Sequence, residues 1–254
     1  MKVYGRFNSV FRHVKNTLKI IGAFCVTFLL GWLIHSFLWV QYTVVKNGQE
    51  PVFYPGDRVV VNRMSYGLRL PFEGWLGYHR WGENKPLVGD WIVYNNPVDK
   101  EKNIADRSLY LGHCIAVPGD TVWFTWNQSL ASKNLGSSSF PFVIPGKGYP
   151  VEVTPWNIRL LCNTLNKHEG KGSVIFKDSI LLVDGLPRKK IVFSQDYFWV
   201  HSGRRLNSGD SRLFGFIPMS HLLGKAFMIS YSFDSKQSFF YKIRSSRLFI
   251  PLHE

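Results

Sequence analysis

Acidic residues are few in this 254-residue chain, where 17 Asp and Glu stand against 31 Lys and Arg for a formal net charge of +14. Before residue 20 there is no acid at all, only the bases Lys2, Arg6, Arg12, Lys15 and Lys19. Cysteine is scarce too: Cys25, Cys114 and Cys162 form no C-x-x-C pair, which argues against a zinc site. The eight histidines are scattered and make no H-x-x-x-H pair, so neither a metal nor a cofactor is expected. Cys114 and Cys162 have two fates open, a disulfide if the body faces an oxidising space or a pair of unlinked buried thiols. No internal repeat occurs.

What is abundant points to a packed, turn-rich body. Hydrophobic residues make up 45% and charged residues 19% of the chain, a balance that excludes disorder. Aromatics at 16%, with 13 prolines and 22 glycines, lean toward strands punctuated by turns.

One long apolar run is present, Ile20 to Val40, interrupted only by His35 and Ser36 near its far end. At 1.5 Å per residue such a run covers roughly 30 Å, the thickness of a bilayer core. It ends in Phe37-Leu38-Trp39-Val40-Gln41-Tyr42, bulky interfacial residues unsuited to cleavage as a secretory signal. The sequence therefore predicts one uncleaved transmembrane helix over 20–40, a basic cytoplasmic N-terminus over 1–19 and an exported domain over 41–254. Nucleic acid is one partner for so basic a chain, but a cytoplasmic flank against an anionic membrane surface explains the charge more economically. No nucleic acid is expected.

Within the body, Arg58–Asn62 follows Pro55-Gly56-Asp57, Trp91–Tyr94 follows Gly89-Asp90, and Thr121–Phe124 follows Pro118-Gly119-Asp120. Three times a G-D pair opens a strand of β-branched or aromatic residues. One helix is expected, with Thr154 as N-cap, Pro155 first, Ile158, Leu161, Cys162 and Leu165 at helical spacing, and Gly170 at the stop. Ser129 to Ser139 reads as an exposed loop. Ile180–Val183 and Ile191–Phe193 read as a hairpin about Asp184-Gly185. The fold class expected is all-β with minor helix, carrying an inserted smaller subdomain near 125–190.

The order of the segments is distinctive. A strand-opening P-G-D follows soon after the anchor, then Tyr110-Leu111-Gly112-His113-Cys114-Ile115-Ala116-Val117-Pro118-Gly119-Asp120, then Asn207-Ser208-Gly209-Asp210-Ser211-Arg212-Leu213-Phe214-Gly215-Phe216-Ile217-Pro218. In this order they resemble the V-G-L-P-G-D and N-S-x-D-S-R-x-x-G-x-V-P segments of bacterial type I signal peptidases (leader peptidases), along nearly the whole chain. The resemblance implies a signal-peptidase-type β-fold at the inner (plasma) membrane, single-pass, with its main domain periplasmic or otherwise extracytoplasmic. It also implies a serine nucleophile and a lysine base, the lysine kept uncharged by burial.

This sequence departs from the family at both catalytic positions. The family serine lies eight residues before the glycine of the first G-D, which here is Gly48, and Gln49 takes the following methionine's place. The family lysine lies seven before the glycine of P-G-D, which here is Gly112, followed by His113. The third element, G-D-N-R in the family, reads Ser202-Gly203-Arg204-Arg205. From Phe37 to Met64 there is no serine or cysteine, and from Asn103 to Ser132 no lysine. Asp57, Pro118, Gly119, Asp120, Ser208, Asp210, Ser211 and Arg212 are retained and are expected to shape the cleft, Asp210 and Arg212 by binding each other or the backbone.

Glycine is neither nucleophile nor base, and losing one such residue costs on the order of 10⁶ in kcat in a serine protease. The leading expectation is a pseudopeptidase that binds signal peptides of exported preproteins or scaffolds a secretion or processing complex. Arg204 and Arg205 would either engage an acidic partner or lie in a solvated loop. Two alternatives stand beside it. One is an active signal peptidase with non-standard residues, for which Ser202 and His113 are the candidate pair, after the Ser–His arrangement of eukaryotic-type signal peptidases. The other is a structural subunit that binds no peptide.

Overall fold

The computed structural model describes residues 16–32, 38–45, 52–69, 78–99, 101–125, 139–170, 172–203, 209–234 and 243–252. Met1–Val40 and Gln41–Glu254 are separate compact units. In the first, α1 (16–32) is apolar around its circumference, with Ile20, Ile21, Phe24, Val26, Leu29 and Leu30 all exposed. Thr27 Oγ1 donates back to the carbonyl of Ala23 at 2.9 Å. At 1.5 Å per residue α1 is about 25 Å long, and among the described residues no helix is long and apolar enough to cross a membrane. The expected helix to Val40 is corrected at its end, because Trp39 and Val40 already belong to a strand. An aromatic and a β-branched residue side by side favour the extended backbone.

The chain continues through β1 (Trp39–Thr43), β2 (Asp57–Asn62), β3 (Leu68–Arg69), β4 (Arg80–Trp81), β5 (Trp91–Asn95), β6 (Leu109–Ala116), β7 (Thr121–Thr125), β8 (Ser139–Val143) and β9 (Pro150–Glu152). After α2 (Ile158–Thr164) come β10 (Val174–Lys177), β11 (Ile180–Val183), β12 (Leu186–Pro187), β13 (Lys190–Val192) and β14 (Tyr197–His201). The short α3 (Ser211–Phe214), β15 (Ile217–Pro218), β16 (Leu222–Ser232) and β17 (Ile250–Pro251) follow. The body is mostly β-sheet with little helix, as its turn-rich composition implies. The main sheet has the order β1-β2-β16-β5-β6-β14-β15, with β17 also on β16.

All three G-D pairs close the same turn. The N–H of Asp57, Asp90 and Asp120 donates to the carbonyl three residues back, on Tyr54, Leu87 and Val117, at 3.1, 3.2 and 3.0 Å. Each aspartate's Oδ2 then accepts the N–H of that same residue, at 2.9, 3.1 and 2.9 Å. The glycine between them takes φ of +94°, +103° and +93° in turn, the third position of a type II turn. The strands that emerge, β2, β5 and β7, start at or just after the aspartate.

Two core clusters lie on the sheet. One gathers Tyr66, Ile92, Tyr94, Cys114, Val200 and Leu222. The other gathers Phe142, Ile144, Leu161, Cys162, Trp199 and Phe216. Cys114 and Cys162 thus lie in different clusters, and both are free thiols.

The expected helix forms with its start displaced. Thr154 and Asn157 exchange side-chain bonds, Thr154 N–H to Asn157 Oδ1 at 2.8 Å and Asn157 N–H to Thr154 Oγ1 at 3.3 Å. This reciprocal box holds a turn over 154–157, and α2 begins only at Ile158. A π-helical turn, Leu165–Glu169, extends it to Gly170, which ends it at φ +58°. The hairpin about Asp184-Gly185 also forms, but the partner of β11 is the two-residue β12, with Val183 opposite Leu186. Ile191 pairs instead with Val151 of β9. The loop read over 129–139 lies outside the described residues except for Ser139, which opens β8.

Candidate functional site

Gly112, which the spacing from Gly119 assigns to the lysine position, is buried in the middle of β6. β6 runs between β5, where Ile92 faces Gly112, and β14, where Val200 faces Cys114 and His201 faces His113. The β6–β14 register slips between Trp199 and Val200. Such an irregularity turns the strand locally and re-aims side chains. Its effect here is to bring Val200 over Gly112: a Cβ built on Gly112 would fall 2.4 Å from Val200 Cγ1 and 3.3 Å from the carbonyl oxygen of His201. Valine is stiff at χ1 and Val200 is fully buried, so the volume next to the slot is already filled.

The slip is held by the third family segment. Ser211 Oγ accepts the N–H of Val200 at 2.9 Å. Asp210, fully buried, caps α3 by accepting the N–H of Arg212 at 3.0 Å. Its Oδ2 takes the N–H of Ser202 at 3.0 Å and the Ser202 hydroxyl at 3.3 Å. Arg212 closes the clamp, with Nη2 2.7 Å from Asp210 Oδ2 and 2.7 Å from the carbonyl of Gly203. Asp210, Ser211 and Arg212 therefore bind one another and the end of β14, a role that needs no catalytic lysine.

The two substitute candidates are not brought together by these bonds. The ring of His113 packs on Trp91 at 4.8 Å, and Trp91 on Phe53 at 4.8 Å. His113 stands opposite His201, and Ser202, the next residue, is turned by strand alternation toward Asp210 on the other side. Burial lowers the pKa of His201, with help from Arg212.

Near Gly112 burial raises the pKa of a thiol and two phenols. Burial pushes the Cys114 thiol to about 12, with Asp90 adding to the shift, so this cysteine is no stand-in nucleophile. Burial likewise raises Tyr42 to about 12, with Tyr110 contributing. Tyr94 is raised well above its usual value by burial first and then by Asp210, and its hydroxyl donates to the Gly209 carbonyl at 2.8 Å.

Of the remaining predicted positions, Asp57, Pro118, Gly119 and Asp120 sit in the two P-G-D turns. Asp57 is also gripped by Arg247, whose Nη2 lies 2.7 Å from Oδ2 and whose Nε lies 3.0 Å from Oδ1. Gly48, Gln49, Arg204, Arg205 and Ser208 lie outside the described residues. Among the described residues no group of His, Cys, Asp and Glu suited to a metal ion occurs.

Sequence reasoning missed Val200 and His221. Val200 is one more apolar strand residue, with nothing in its type to signal the contact. His221 is buried and accepts from Arg107 Nη1 at 2.9 Å through Nε2, so Nδ1 carries the proton toward Ser220 Oγ at 3.1 Å. An always-protonated arginine fixes that tautomer.

The body is β-rich, with paired P-G-D turns and an Asp-Ser-Arg clamp on β14, the strand beside Gly112. The family model described as signal peptidase, peptidase S26, matches residues 16–231, and the chain belongs to that family. Among its relatives, Signal peptidase I of Buchnera aphidicola subsp. Schizaphis graminum is 23% identical over 258 residues, covering 90% of this chain and 80% of the relative. Signal peptidase I of Aquifex aeolicus is 26% identical over 226 residues, 78% of each chain. That of Pseudomonas aeruginosa is 25% identical over 218 residues, 81% of this chain and 70% of the relative.

Proposed function

We propose that this chain is a membrane-anchored signal peptidase homologue that has lost cleavage and keeps binding, holding signal peptides of exported preproteins or a processing complex. The observation that carries the reading is the packing at Gly112, where Val200 stands against the position from which the family lysine would project. The serine slot supports it from sequence, since Gly48 has no serine or cysteine within the surrounding segment. The retained Asp210-Ser211-Arg212 segment is accounted for by its bonds to β14, so its presence needs no active dyad. A peptide would lie extended along the cleft, adding main-chain bonds to a strand edge. In this reading the apolar run through α1 anchors the chain once, with the basic N-terminus in the cytoplasm and the body exported.

The test is cleavage by the full chain in lipid with a labelled preprotein, run beside Ser202→Ala and His113→Ala. No processing is expected from any of the three. Processing by the unaltered chain that disappears in either variant would replace this reading with an active peptidase using Ser202 and His113. A photo-crosslinker at Gln49 is expected to capture signal peptides in cells. Adducts only to other membrane proteins would point to a structural subunit.

A further inference from the structure

Phe140 and Phe142 lie two residues apart on β8, so strand alternation sends both to one side of the β7–β8 hairpin. With α2 and α3 they border a cavity of about 610 Å³, within the range of roughly 300–1,000 Å³ usual for ligand sites. We infer that this cavity binds a proline-rich segment in the polyproline II conformation.

Its walls are rings held by other rings. Phe140 stacks on Trp156 at 4.4 Å with their planes 22° apart, and Phe142 packs against Trp199 at 4.8 Å. All four line the cavity. The reciprocal Thr154–Asn157 box fixes the backbone that carries Trp156. Two of the lining residues stay open to solvent, Trp156 at 59% and Leu213 at 61% exposed. Large apolar side chains left open beside a cavity mark a contact surface. Rings already locked in place lose little freedom when a partner packs on them.

The hydrogen-bonding character of the walls selects the partner. Among the described residues, neither the indole N–H of Trp156 nor that of Trp199 has a hydrogen-bond partner. Trp199 is only 7% exposed, and its N–H, unpartnered yet not sealed off, opens on the space its ring lines. An indole can only donate, so the occupant has to bring acceptors. A polyproline II segment brings carbonyls that make no internal hydrogen bond, and its prolines carry no N–H to leave stranded against the rings. Aromatic-lined sites take such segments because the pyrrolidine rings pack on flat faces and the extended helix is formed in advance. Arg159 and Arg212 also line the cavity, but one lies 5.4 Å from the ring centre of Phe176 and the other is bound to Asp210, so no charge on the partner is required. The donors here are side chains, not a strand edge, so this inference stands apart from the cleft reading.

The test uses the full chain in phosphatidylcholine nanodiscs, with fluorescence anisotropy of a labelled decaproline peptide and empty nanodiscs as the blank. A labelled Gly-Ser decapeptide is the control. Decaproline is expected to bind saturably and the Gly-Ser peptide not to bind. Trp156→Phe keeps a ring against Phe140 and removes the N–H, and is expected to weaken decaproline by about three- to tenfold, the effect of one neutral hydrogen bond. Trp156→Ala is expected to weaken it by about tenfold or more, as loss of an exposed tryptophan anchor does. Trp199→Phe is expected to match Trp156→Phe, with circular dichroism checking its fold. Absence of saturable binding, equal binding of the Gly-Ser peptide, displacement of decaproline by a signal peptide, or undiminished binding by Trp156→Ala would each overturn the inference. Because Trp156 is exposed, its variants keep the test decisive should Trp199→Phe fold poorly.

Discussion

Val200 and Gly112 are complementary, the γ-methyl of one lying where the Cβ of any larger residue at the other would have to go. Gly112→Ala is therefore expected to destabilise the body by about 1–3 kcal/mol through overpacking, with Val200→Ala in the same chain returning part of that loss. Urea denaturation of the two single variants and the double variant measures the coupling. Additive effects would show that the contact is not felt. By the same contact, Gly48→Ser with Gly112→Lys is expected to stay silent toward a preprotein, and recovered processing in that double variant would contradict the filled slot.

Asp210 is buried, and its partner Arg212 is mostly so. Removing one member of a buried pair leaves the other charge uncompensated, at about 3–5 kcal/mol. Asp210→Ala is expected to fall in that range and to release the Ser202 and Gly203 end of β14 as well. Hydrogen exchange at the amide of Ser202, which donates to Asp210, reports the release. Protection equal to that of the unaltered chain would show that the clamp does not hold the strand.

His221 makes stability depend on pH. Burial, reinforced by His168, Arg107 and Arg69, holds its pKa down to about 2 in the folded chain, whereas an unfolded histidine titrates near ~6.5. Below about pH 6.5 the unfolded chain therefore takes up a proton that the folded chain refuses. Stability is then lost as pH falls, by up to ~1.4 kcal/mol per pH unit from this group. His221→Gln keeps an acceptor for Arg107 and is expected to flatten the profile between pH 6 and 4 in denaturation at stepped pH. Parallel profiles would exclude His221 as the source.

The P-G-D turns separate conformation from space. Gly119 has φ +93° with nothing near a built Cβ, so Gly119→Ala is expected to carry only the left-handed penalty, about 1–2 kcal/mol. Gly56 has a similar φ of +94°, but its Cβ would fall 1.9 Å from the carbonyl oxygen of Phe233. Gly56→Ala is expected to cost about 1–3 kcal/mol more through overpacking. Equal melting temperatures for the two variants would rule out that approach.

Local signals were legible in the sequence and remote ones were not. A G-D pair announces its turn because the glycine's φ and the aspartate's two bonds to the residue three before it are local, and β2, β5 and β7 follow within a residue of the expected starts. The helix was visible through Ile158, Leu161, Cys162 and Leu165, all buried, and Thr154 caps the turn that leads into it, its Oγ1 accepting the N–H of Asn157. β12 was missed because two residues carry no periodicity. The grip of Arg247 on Asp57 joins positions 190 apart. The Val200 contact depends on a slip in register that no spacing along one strand reveals. For the candidate site, counting from the turns singled out Gly112 and Gly48, but the packing of Val200 beside Gly112 was not legible.

The three turns have a consequence for how this family can change. In each, the aspartate bonds the residue three before it through both its N–H and its Oδ2, so the turn that launches the strand is set by its own backbone and its aspartate, whichever side chains project farther along the strand. A lineage can exchange a reactive residue for glycine without disturbing the signals that launch the sheet. Loss of chemistry and retention of architecture then become separate evolutionary events, and a protein that no longer cuts can persist for what its shape still does.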